Sequence, residues 1–175
     1  MKKELRKWAK EKRSTLCVDV VSSEIKTKLF SSEVYKNAKN IMCYYSFGSE
    51  VSTLEYFSDN SKNWYLPKIS DNDLLVCPYC SDFVENKYKI NEPNSKPVDE
   101  TVIDMVVIPA LVADKNGYRI GYGKGYYDRF LKKLSGCVCK VVLVYSELLI
   151  NDVHPDAFDE KCDYIVTEKN MLKIG

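Results

Sequence analysis

The stretch IDMVVIPALV (Ile103–Val112) is the most strand-like segment of the sequence. Its apolar residues run almost without interruption, whereas a strand with one solvated face alternates apolar and polar residues. A continuous apolar run of this length is typical of a strand that is buried on both faces. The stretch therefore predicts a central strand of a covered sheet.

The chain before this strand alternates between helical and strand-like patterns. An amphipathic basic helix is predicted over residues 2–14, and a second helix over Val18–Leu29. The aromatic run Asn40–Phe47 predicts a buried strand. The segment STLEYF then places Ser52 or Thr53 in an N-cap position, which predicts another helix.

The remaining segments extend the same alternation. NWYLPKI and LLVCPY predict two short strands, and the polar segment Ser81–Thr101 predicts a loop. A helix is predicted from Tyr126 to about Leu134, followed by the strands KVVLVYS and DYIVTE. We therefore expect one α/β domain over residues 1–175. It would have three layers, with a mostly parallel or mixed sheet flanked by helices on both faces.

Composition limits the classes of partner. Of the 175 residues, 26 are Lys or Arg and 25 are Asp or Glu, so the bulk charge does not indicate nucleic acid. No apolar run resembles a signal peptide or a membrane span. We expect a cytoplasmic protein, a monomer or weak dimer, with small-molecule partners and neither nucleic acid nor membrane among them.

The cysteines and the histidine exclude several kinds of chemistry. Seven cysteines is an odd number in a chain without an export signal, so no disulfide framework is expected. The pair CPYC (Cys77–Cys80) has the spacing of a thiol-disulfide site, but no clear helical pattern follows it. The one histidine, His154, excludes a mechanism that needs two.

The stretch GYRIGYGKGYYDRFL (Gly117–Leu131) carries the strongest functional signal. Its glycines allow the backbone to approach a ligand closely, and the helix that follows points N–H groups and its positive dipole end towards the loop. Lys124 and Arg119 add full charges suited to phosphate. Asp128, in the first helical turn, could hold Mg²⁺.

One other interpretation of this loop remains open on spacing alone. It could be a glycine-rich turn in which Asp128 only complements the helix dipole. It lacks the G-K-[ST] sequence of a Walker A loop, and its alternating glycines do not match a dinucleotide fingerprint.

Five segments together resemble the 5-formyltetrahydrofolate cyclo-ligase family, also called 5,10-methenyltetrahydrofolate synthetases. They are the glycine loop, KKELR at the start, YYSFGSEVST, INEP and VHPDAFDEKCDYIVTE. Lys89 stands where the family's INEP-like segment usually has glycine. The resemblance implies cyclisation of 5-formyltetrahydrofolate to 5,10-methenyltetrahydrofolate, with ATP as co-substrate and Mg²⁺ as cofactor. ADP and phosphate would be released through a phosphorylated formyl intermediate.

The resemblance also implies roles for individual residues. Lys124 and Arg119 would be catalytic, and Asp128 and Asp159 would hold the metal. The folate, with or without a polyglutamate tail, would contact Tyr45, Glu50, Tyr122, Gly123, Lys124, Gly125 and Tyr126. ATP would contact Lys2, Lys3, Glu4, Leu5, Arg6, Arg119, Ile120, Gly121, Tyr122, Gly123, Lys124, Gly125, Tyr126 and Tyr127.

Two alternatives to a cyclo-ligase function remain open. The chain could be a folate or nucleotide binder without turnover, or a thiol-disulfide protein that uses Cys77 and Cys80. The basic face of the first helix could also be only a solvated surface, and the tyrosines could be core aromatics.

Overall fold

The computed structural model describes all residues from 1 to 175. Its main sheet has seven strands in the order β12-β11-β9-β6-β1-β2-β3. These strands are β1 (Asn40–Cys43), β2 (Asn63–Ser70), β3 (Asp73–Pro78), β6 (Met105–Pro109), β9 (Cys139–Leu143), β11 (Tyr164–Val166) and β12 (Met171–Lys173). The five inner strands are parallel, and β3 and β12 pair antiparallel at the edges. The α/β prediction with a mixed, mostly parallel sheet is confirmed.

Helices and two small sheets complete the fold. The α-helices are α1 (Lys2–Arg13), α2 (Val18–Ser31), α3 (Glu33–Asn37) and α4 (Tyr126–Lys133). The remaining strands are β4 (Phe83–Glu85), β5 (Asn91–Pro93), β7 (Val112–Asp114), β8 (Arg119–Ile120) and β10 (Leu149–Ile150). None of the helices has both the length and the apolar character that crossing a membrane requires.

The stretch Ile103–Val112 forms two strands instead of the one that was predicted. Met105–Ile108 in β6 are buried on both faces, with at most 1% of each residue exposed, as the continuous apolar pattern indicates. The chain leaves the main sheet after Pro109. Val112–Asp114 then pairs with β8 and β10 in a separate three-stranded sheet. The uniformly apolar sequence does not show where the chain leaves the main sheet, because the residues of β6 and β7 are almost equally buried.

The order of the strands places an open crevice at the end of β1 and β6. From β1 the chain continues to β2 on one side, whereas β6, β9 and β11 lie on the other side. The connections that follow β1 and β6 therefore run in opposite directions. Ligands of parallel α/β sheets bind beside such a point, at the carboxyl ends of the strands.

Two further predictions were wrong in detail. The segment after Thr53 is a short 3-10 helix over Leu54–Ser58, without a side-chain N-cap. The Thr53 hydroxyl donates to the carbonyl of Tyr44 at 2.6 Å instead, and so closes the loop after β1. The polar segment predicted as a loop contains the β4–β5 hairpin.

The turn of that hairpin explains why glycine suits the position of Lys89. Lys89 has φ of +61°, a left-handed conformation that costs residues with a Cβ about 1–2 kcal/mol. The side chain of Asn86 secures the turn, because its Oδ1 accepts hydrogen bonds from the amides of Tyr88 and Ile90 at 2.8 and 3.2 Å.

Replacing Lys89 by glycine should therefore stabilise the chain. We expect Lys89→Gly to raise the free energy of unfolding by about 0.5–1 kcal/mol, because glycine adopts positive φ without steric cost. Chemical denaturation at constant pH measures this difference. Lys87→Gly, two residues earlier and without positive φ, is the control and should give no gain. An equal or larger gain at Lys87 would contradict the explanation.

Candidate active site

A cavity of about 750 Å³ lies at the carboxyl ends of β1 and β6. Tyr44 and Tyr45, which follow β1, and Pro109 at the end of β6 form part of its wall. The whole segment from Arg119 to Arg129 lines it as well. The strand order therefore brings the glycine loop to the crevice where a parallel sheet binds its ligands.

The glycine loop is held in place by Arg6 of α1. The Nε of Arg6 donates to the carbonyl of Gly121 at 2.9 Å. Gly123 has φ of +96°, and a Cβ there would lie 3.2 Å from the guanidinium carbon of Arg6. A side chain at this position would push Arg6 away from the loop. The positive φ favours glycine here, and the missing Cβ leaves room for the Arg6 guanidinium against the loop.

The loop ends at an uncapped helix N-terminus. Gly125, with φ of +70°, is the N-cap of α4 and provides no side-chain hydrogen bond. The first-turn N–H groups of α4 therefore have no side-chain acceptor, and the helix dipole adds positive potential there. Lys124 is exposed and has no carboxylate partner; its Nζ lies 6.0 Å from the centre of the Tyr88 ring. This arrangement suits a phosphate group.

Arg119 and Asp128 form an ion pair at the base of the loop. Nη1 of Arg119 lies 2.9 Å from Oδ1 of Asp128, and the Arg119 side chain is only 3% exposed. The Nε of Arg119 is buried without a hydrogen-bond partner. Oδ1 of Asp128 also accepts from the amide of Glu160 at 3.4 Å. The ion pair is thus anchored to the C-terminal segment beside Asp159.

Lys2 bridges the two aspartates of that segment. Its Nζ lies 2.8 Å from Oδ2 of Asp156 and also forms an ion pair with Asp159. Asp159 is the more enclosed partner, with 13% of its side chain exposed against 58% for Asp156. Lys2, Asp156 and Asp159 all line the cavity. The first turn of α1 therefore meets the C-terminal segment at this end of the cavity.

The carboxylates at this end suit Mg²⁺ bound together with a phosphate. No group of three or more His, Cys, Asp or Glu side chains in the chain could hold a metal ion by itself. Asp128 and Asp159 supply two carboxylates on neighbouring segments. Magnesium in phosphoryl-transfer sites is commonly held by one or two carboxylates, with phosphate oxygens and water completing its shell.

Glu50 lies in the rigid loop that follows β1. Ser46 and Thr53 exchange two hydrogen bonds across this loop, with each backbone amide donating to the other's hydroxyl. Glu50 is 4% exposed, yet it lines the cavity, and its Oε2 accepts from the amide of Phe47 at 3.0 Å. Burial raises the pKa of Glu50 to about 7, while the Phe47 amide and the charge of Arg13 lower it. A buried carboxylate of this kind is suited to a ligand that donates hydrogen bonds.

Aromatic side chains surround this part of the cavity. Phe47 stacks on Tyr122 with ring centres 5.9 Å apart. Tyr45 packs on Phe83 and Phe57, at 4.9 and 5.8 Å between ring centres. A flat heterocycle could therefore lie between aromatic faces and reach a carboxylate with its edge.

The structure brings most of the predicted site residues together. Lys2, Arg6, Tyr45, Glu50, Asp159 and the segment from Arg119 to Asp128 all line the cavity. Lys3, Glu4 and Leu5 do not. Lys3 and Glu4 are exposed, Glu4 pairs with the N-terminal ammonium at 3.1 Å, and Leu5 packs against the core. Helical geometry separates these positions, since only residues about four apart share a face.

Sequence reasoning missed several residues of the cavity wall. The most prominent are Asn86, Tyr88, Glu92, Asp156 and Phe158. Glu92 belongs to the INEP segment, and its Oε1 accepts from the amide of Ile69 at 2.8 Å and from Asn86 at 2.7 Å. The hairpin is thereby fastened to β2 beside the cavity. Asp156 and Phe158 lie within two or three residues of Asp159, so proximity in sequence was the available signal.

The comparison with known families decides the identity. Residues 1–168 match the model of the 5-formyltetrahydrofolate cyclo-ligase family. The chain belongs to this family.

Individual cyclo-ligases and solved structures agree with the assignment. The chain is 30% identical to 5-formyltetrahydrofolate cyclo-ligase of Mycoplasma pneumoniae, over 96% of this chain and 99% of the other. Its fold matches the NMR structure of Aquifex aeolicus 5,10-methenyltetrahydrofolate synthetase with a TM-score of 0.87 and 31% identity, covering 99% and 92% of the two chains. The 5,10-methenyltetrahydrofolate synthetase structure from Mycoplasma pneumoniae matches with a TM-score of 0.79 and 25% identity, covering 95% and 98%.

The cysteine pair of this cyclo-ligase family member lacks the geometry of a thiol-disulfide site. Cys77 is buried in β3, where desolvation raises the pKa of its thiol, and all seven cysteines are free. A redox-active cysteine needs a lowered thiol pKa, which a position at a helix N-terminus provides. Cys80 is only partly exposed, and its Sγ lies 3.1 Å from the carbonyl of Asp82.

The raised pKa of Glu50 makes the stability of this cyclo-ligase fold pH-dependent. The folded chain favours the protonated acid, so Glu50 costs stability as the pH rises from its ordinary pKa of 4.5 through about 7. Glu50→Gln removes this cost. We expect the stability of Glu50→Gln relative to wild type to increase by roughly 1–3 kcal/mol between about pH 5 and pH 8.

Denaturation of both chains across this pH range measures the difference. Glu55→Gln is the control, because the Glu55 side chain is 79% exposed and pairs with Lys26 at the surface. Its difference from wild type should stay nearly constant. A constant difference for Glu50→Gln as well would contradict the raised pKa.

Proposed function

We propose that the chain catalyses the ATP- and Mg²⁺-dependent cyclisation of 5-formyltetrahydrofolate to 5,10-methenyltetrahydrofolate, with release of ADP and phosphate. Its family and its relatives carry the names of this cyclo-ligase activity. The observation that carries the proposal is one cavity with two kinds of wall. One part presents cations, carboxylates and a helix N-terminus, and the other presents aromatic rings and the buried Glu50.

The proposed reaction needs no nucleophilic side chain. The formyl oxygen on N5 of the folate attacks the γ-phosphorus of ATP, and ADP leaves. N10 then attacks the activated formyl carbon and loses its proton, and the C–O bond breaks to release phosphate. Both nucleophiles belong to the folate, so the protein has to align the substrates, neutralise charge and exclude water.

The cationic part of the cavity would bind the nucleotide. The start of α4 and the side chains of Arg6 and Arg119 line the same part of the cavity, where they would contact the phosphates. Lys124 has no carboxylate partner, so its charge is free to follow the γ-phosphoryl group during transfer. Asp128 and Asp159 would hold Mg²⁺, which would neutralise charge on the phosphate oxygens.

The aromatic part of the cavity would bind the pterin. One edge of a pterin carries a run of N–H donors, which the two oxygens of a carboxylate can accept as a pair. Glu50 is the carboxylate on this side, and Tyr45, Phe47 and Tyr122 supply ring faces beside it. In this arrangement N5 and N10 would point towards the glycine loop, where the phosphates would be.

The test of the proposal is a direct assay of the cyclisation. Purified chain, 5-formyltetrahydrofolate and Mg-ATP should produce the methenyl product, followed by its near-ultraviolet absorbance. Lys124→Ala should lower kcat by about 10²–10³-fold, because the lost charge stabilises the transferring phosphoryl group. Lys115→Ala, an exposed lysine in the β7–β8 turn, is the matched control and should retain full activity.

The remaining outcomes separate the alternatives. No product, combined with an increase in melting temperature on adding ATP or folate, would indicate a binder without turnover. Thiol-disulfide exchange that is lost in Cys77→Ser but retained in Lys124→Ala would favour the thiol-disulfide alternative. If the chain formed no product and neither ATP nor the folate raised its melting temperature, the proposal would be contradicted altogether.

The metal assignment has its own test. We expect Asp128→Asn to raise the Mg²⁺ concentration for half-maximal activity by about tenfold, since it removes one of two proposed carboxylate ligands, a loss of about 1.4 kcal/mol. Titration of Mg²⁺ at fixed ATP measures this. Asp152→Asn is the control, because Asp152 lies at the surface beside His154. An unchanged Mg²⁺ requirement in Asp128→Asn would exclude Asp128 as a ligand.

A further inference from the structure

Arg13, the last residue of α1, is a buried charge without a counter-ion. Only 2% of its surface is exposed, and Arg119 is the one other buried basic residue. Arg119 pairs with Asp128, but no carboxylate lies within ion-pairing distance of Arg13. Burying an unpaired charge costs stability. The position of Arg13 therefore calls for a functional explanation.

The contacts of Arg13 connect three segments of the cavity wall. Nη2 donates to the carbonyl of Ala110, directly after β6. Nη1 lies 3.3 Å from the hydroxyl oxygen of Tyr122 in the glycine loop. The guanidinium carbon lies 5.8 Å from the centre of the Tyr145 ring. The Nε is buried without a hydrogen-bond partner.

Two of these contacts lead to Glu50. The hydroxyl of Tyr145 donates to the carbonyl of Ser49 at 3.1 Å, so Arg13 packs on the side chain that holds the residue before Glu50. Tyr122 lines the same cavity as Glu50 and also helps to lower the pKa of Glu50. Arg13 therefore contacts both Tyr122 and Tyr145, the two side chains that connect it to the region of Glu50.

Arg13 also supplies the positive charge near Glu50. The other titratable groups that face Glu50 are neutral at physiological pH, because their pKa values are raised mainly by burial; these are Cys43, Tyr44, Tyr122, Tyr127 and Tyr145. Arg13 is the cation whose field lowers the pKa of Glu50 against the effect of burial. Without it, nothing charged would favour the carboxylate.

We propose that Arg13 is a positioning residue for the folate: it fixes Tyr122 and favours the carboxylate form of Glu50, which can accept hydrogen bonds from the pterin. This inference rests on the substrate role of Glu50 in the proposed function. It gives α1 two tasks, because the same helix carries Lys2 and Arg6 at the nucleotide end. One rigid element then sets the spacing between the two substrates.

The first experiment compares steady-state kinetics of Arg13→Met with wild type. At about pH 7 we expect the KM for 5-formyltetrahydrofolate to rise by about tenfold, while the KM for ATP changes by less than about threefold. The increase in folate KM should shrink above about pH 9, because Glu50 then ionises in the variant as well. Lys12→Met is the matched control, since neighbouring Lys12 pairs with Glu147 at the surface, 2.6 Å away.

The conservative variant Arg13→Lys separates charge from geometry and serves if Arg13→Met fails to fold. It retains the positive charge but cannot contact Ala110 and Tyr122 together. We expect its pH profile to follow wild type, with a smaller rise in folate KM. An equal rise in both KM values, or a folate KM ratio that does not change with pH, would overturn the proposal and leave Arg13 a purely structural role.

A substrate-free double-mutant cycle tests the link between Arg13 and Glu50 independently. The loss of denaturation midpoint caused by Arg13→Met should be larger in wild type than in the Glu50→Gln background at about pH 8, and equal in both at about pH 5. The same loss in both backgrounds at every pH would overturn the proposal. If wild type does not turn over 5-formyltetrahydrofolate, the proposed function fails, whereas the cycle still decides whether Arg13 favours the carboxylate form of Glu50.

Discussion

A strand that is buried on both faces can meet a ligand only at its end, and this constraint organises the whole chain. Met105–Ile108 leave no polar side chain on either face of β6, and β1 beside it is almost equally enclosed. The inner strands themselves therefore offer no polar side chain to a ligand, and the groups that could bind or react come from segments around the strand ends. The loop after β1 supplies Glu50, and the chain after β6 supplies the glycine loop. The reversal of strand order between β1 and β6 keeps the two segments apart and leaves a crevice between them.

The N-terminal helix closes this crevice from one side. Arg6 donates to the loop carbonyl of Gly121, and Arg13 reaches Ala110 and Tyr122. These contacts join residues about a hundred positions apart in the sequence, so α1 is part of the site itself. The missing side chain at Gly123 leaves room for the Arg6 guanidinium beside the loop.

The sequence predicted the class of fold, because continuous apolar strands separated by amphipathic helices leave few alternatives. It did not predict where Ile103–Val112 leaves the main sheet, since a buried strand looks the same in either sheet. Residues of the glycine loop were identified from charge and backbone freedom that are local in sequence. Arg13 showed only as one basic residue on a helical face, and its burial depends on contacts with Ala110 and Tyr145 that no local pattern encodes. The family resemblance assigned Lys3, Glu4 and Leu5 to the nucleotide together with Lys2 and Arg6, although a helix turns neighbours to different sides.

The pairing of Lys2 with Asp159 and of Arg119 with Asp128 has a consequence for how the site would respond to a nucleotide. In the free chain two of the cations suited to phosphate, Lys2 and Arg119, each already pair with a carboxylate suited to magnesium. Mg-ATP would enter by an exchange of partners, in which the metal takes the carboxylates and the phosphates take the cations. Magnesium alone would take the carboxylates and leave the cations unpaired, and the nucleotide alone would take the cations and leave the carboxylates unpaired. Such a site would favour metal and nucleotide arriving together, because only the two charges together would leave no group unpaired.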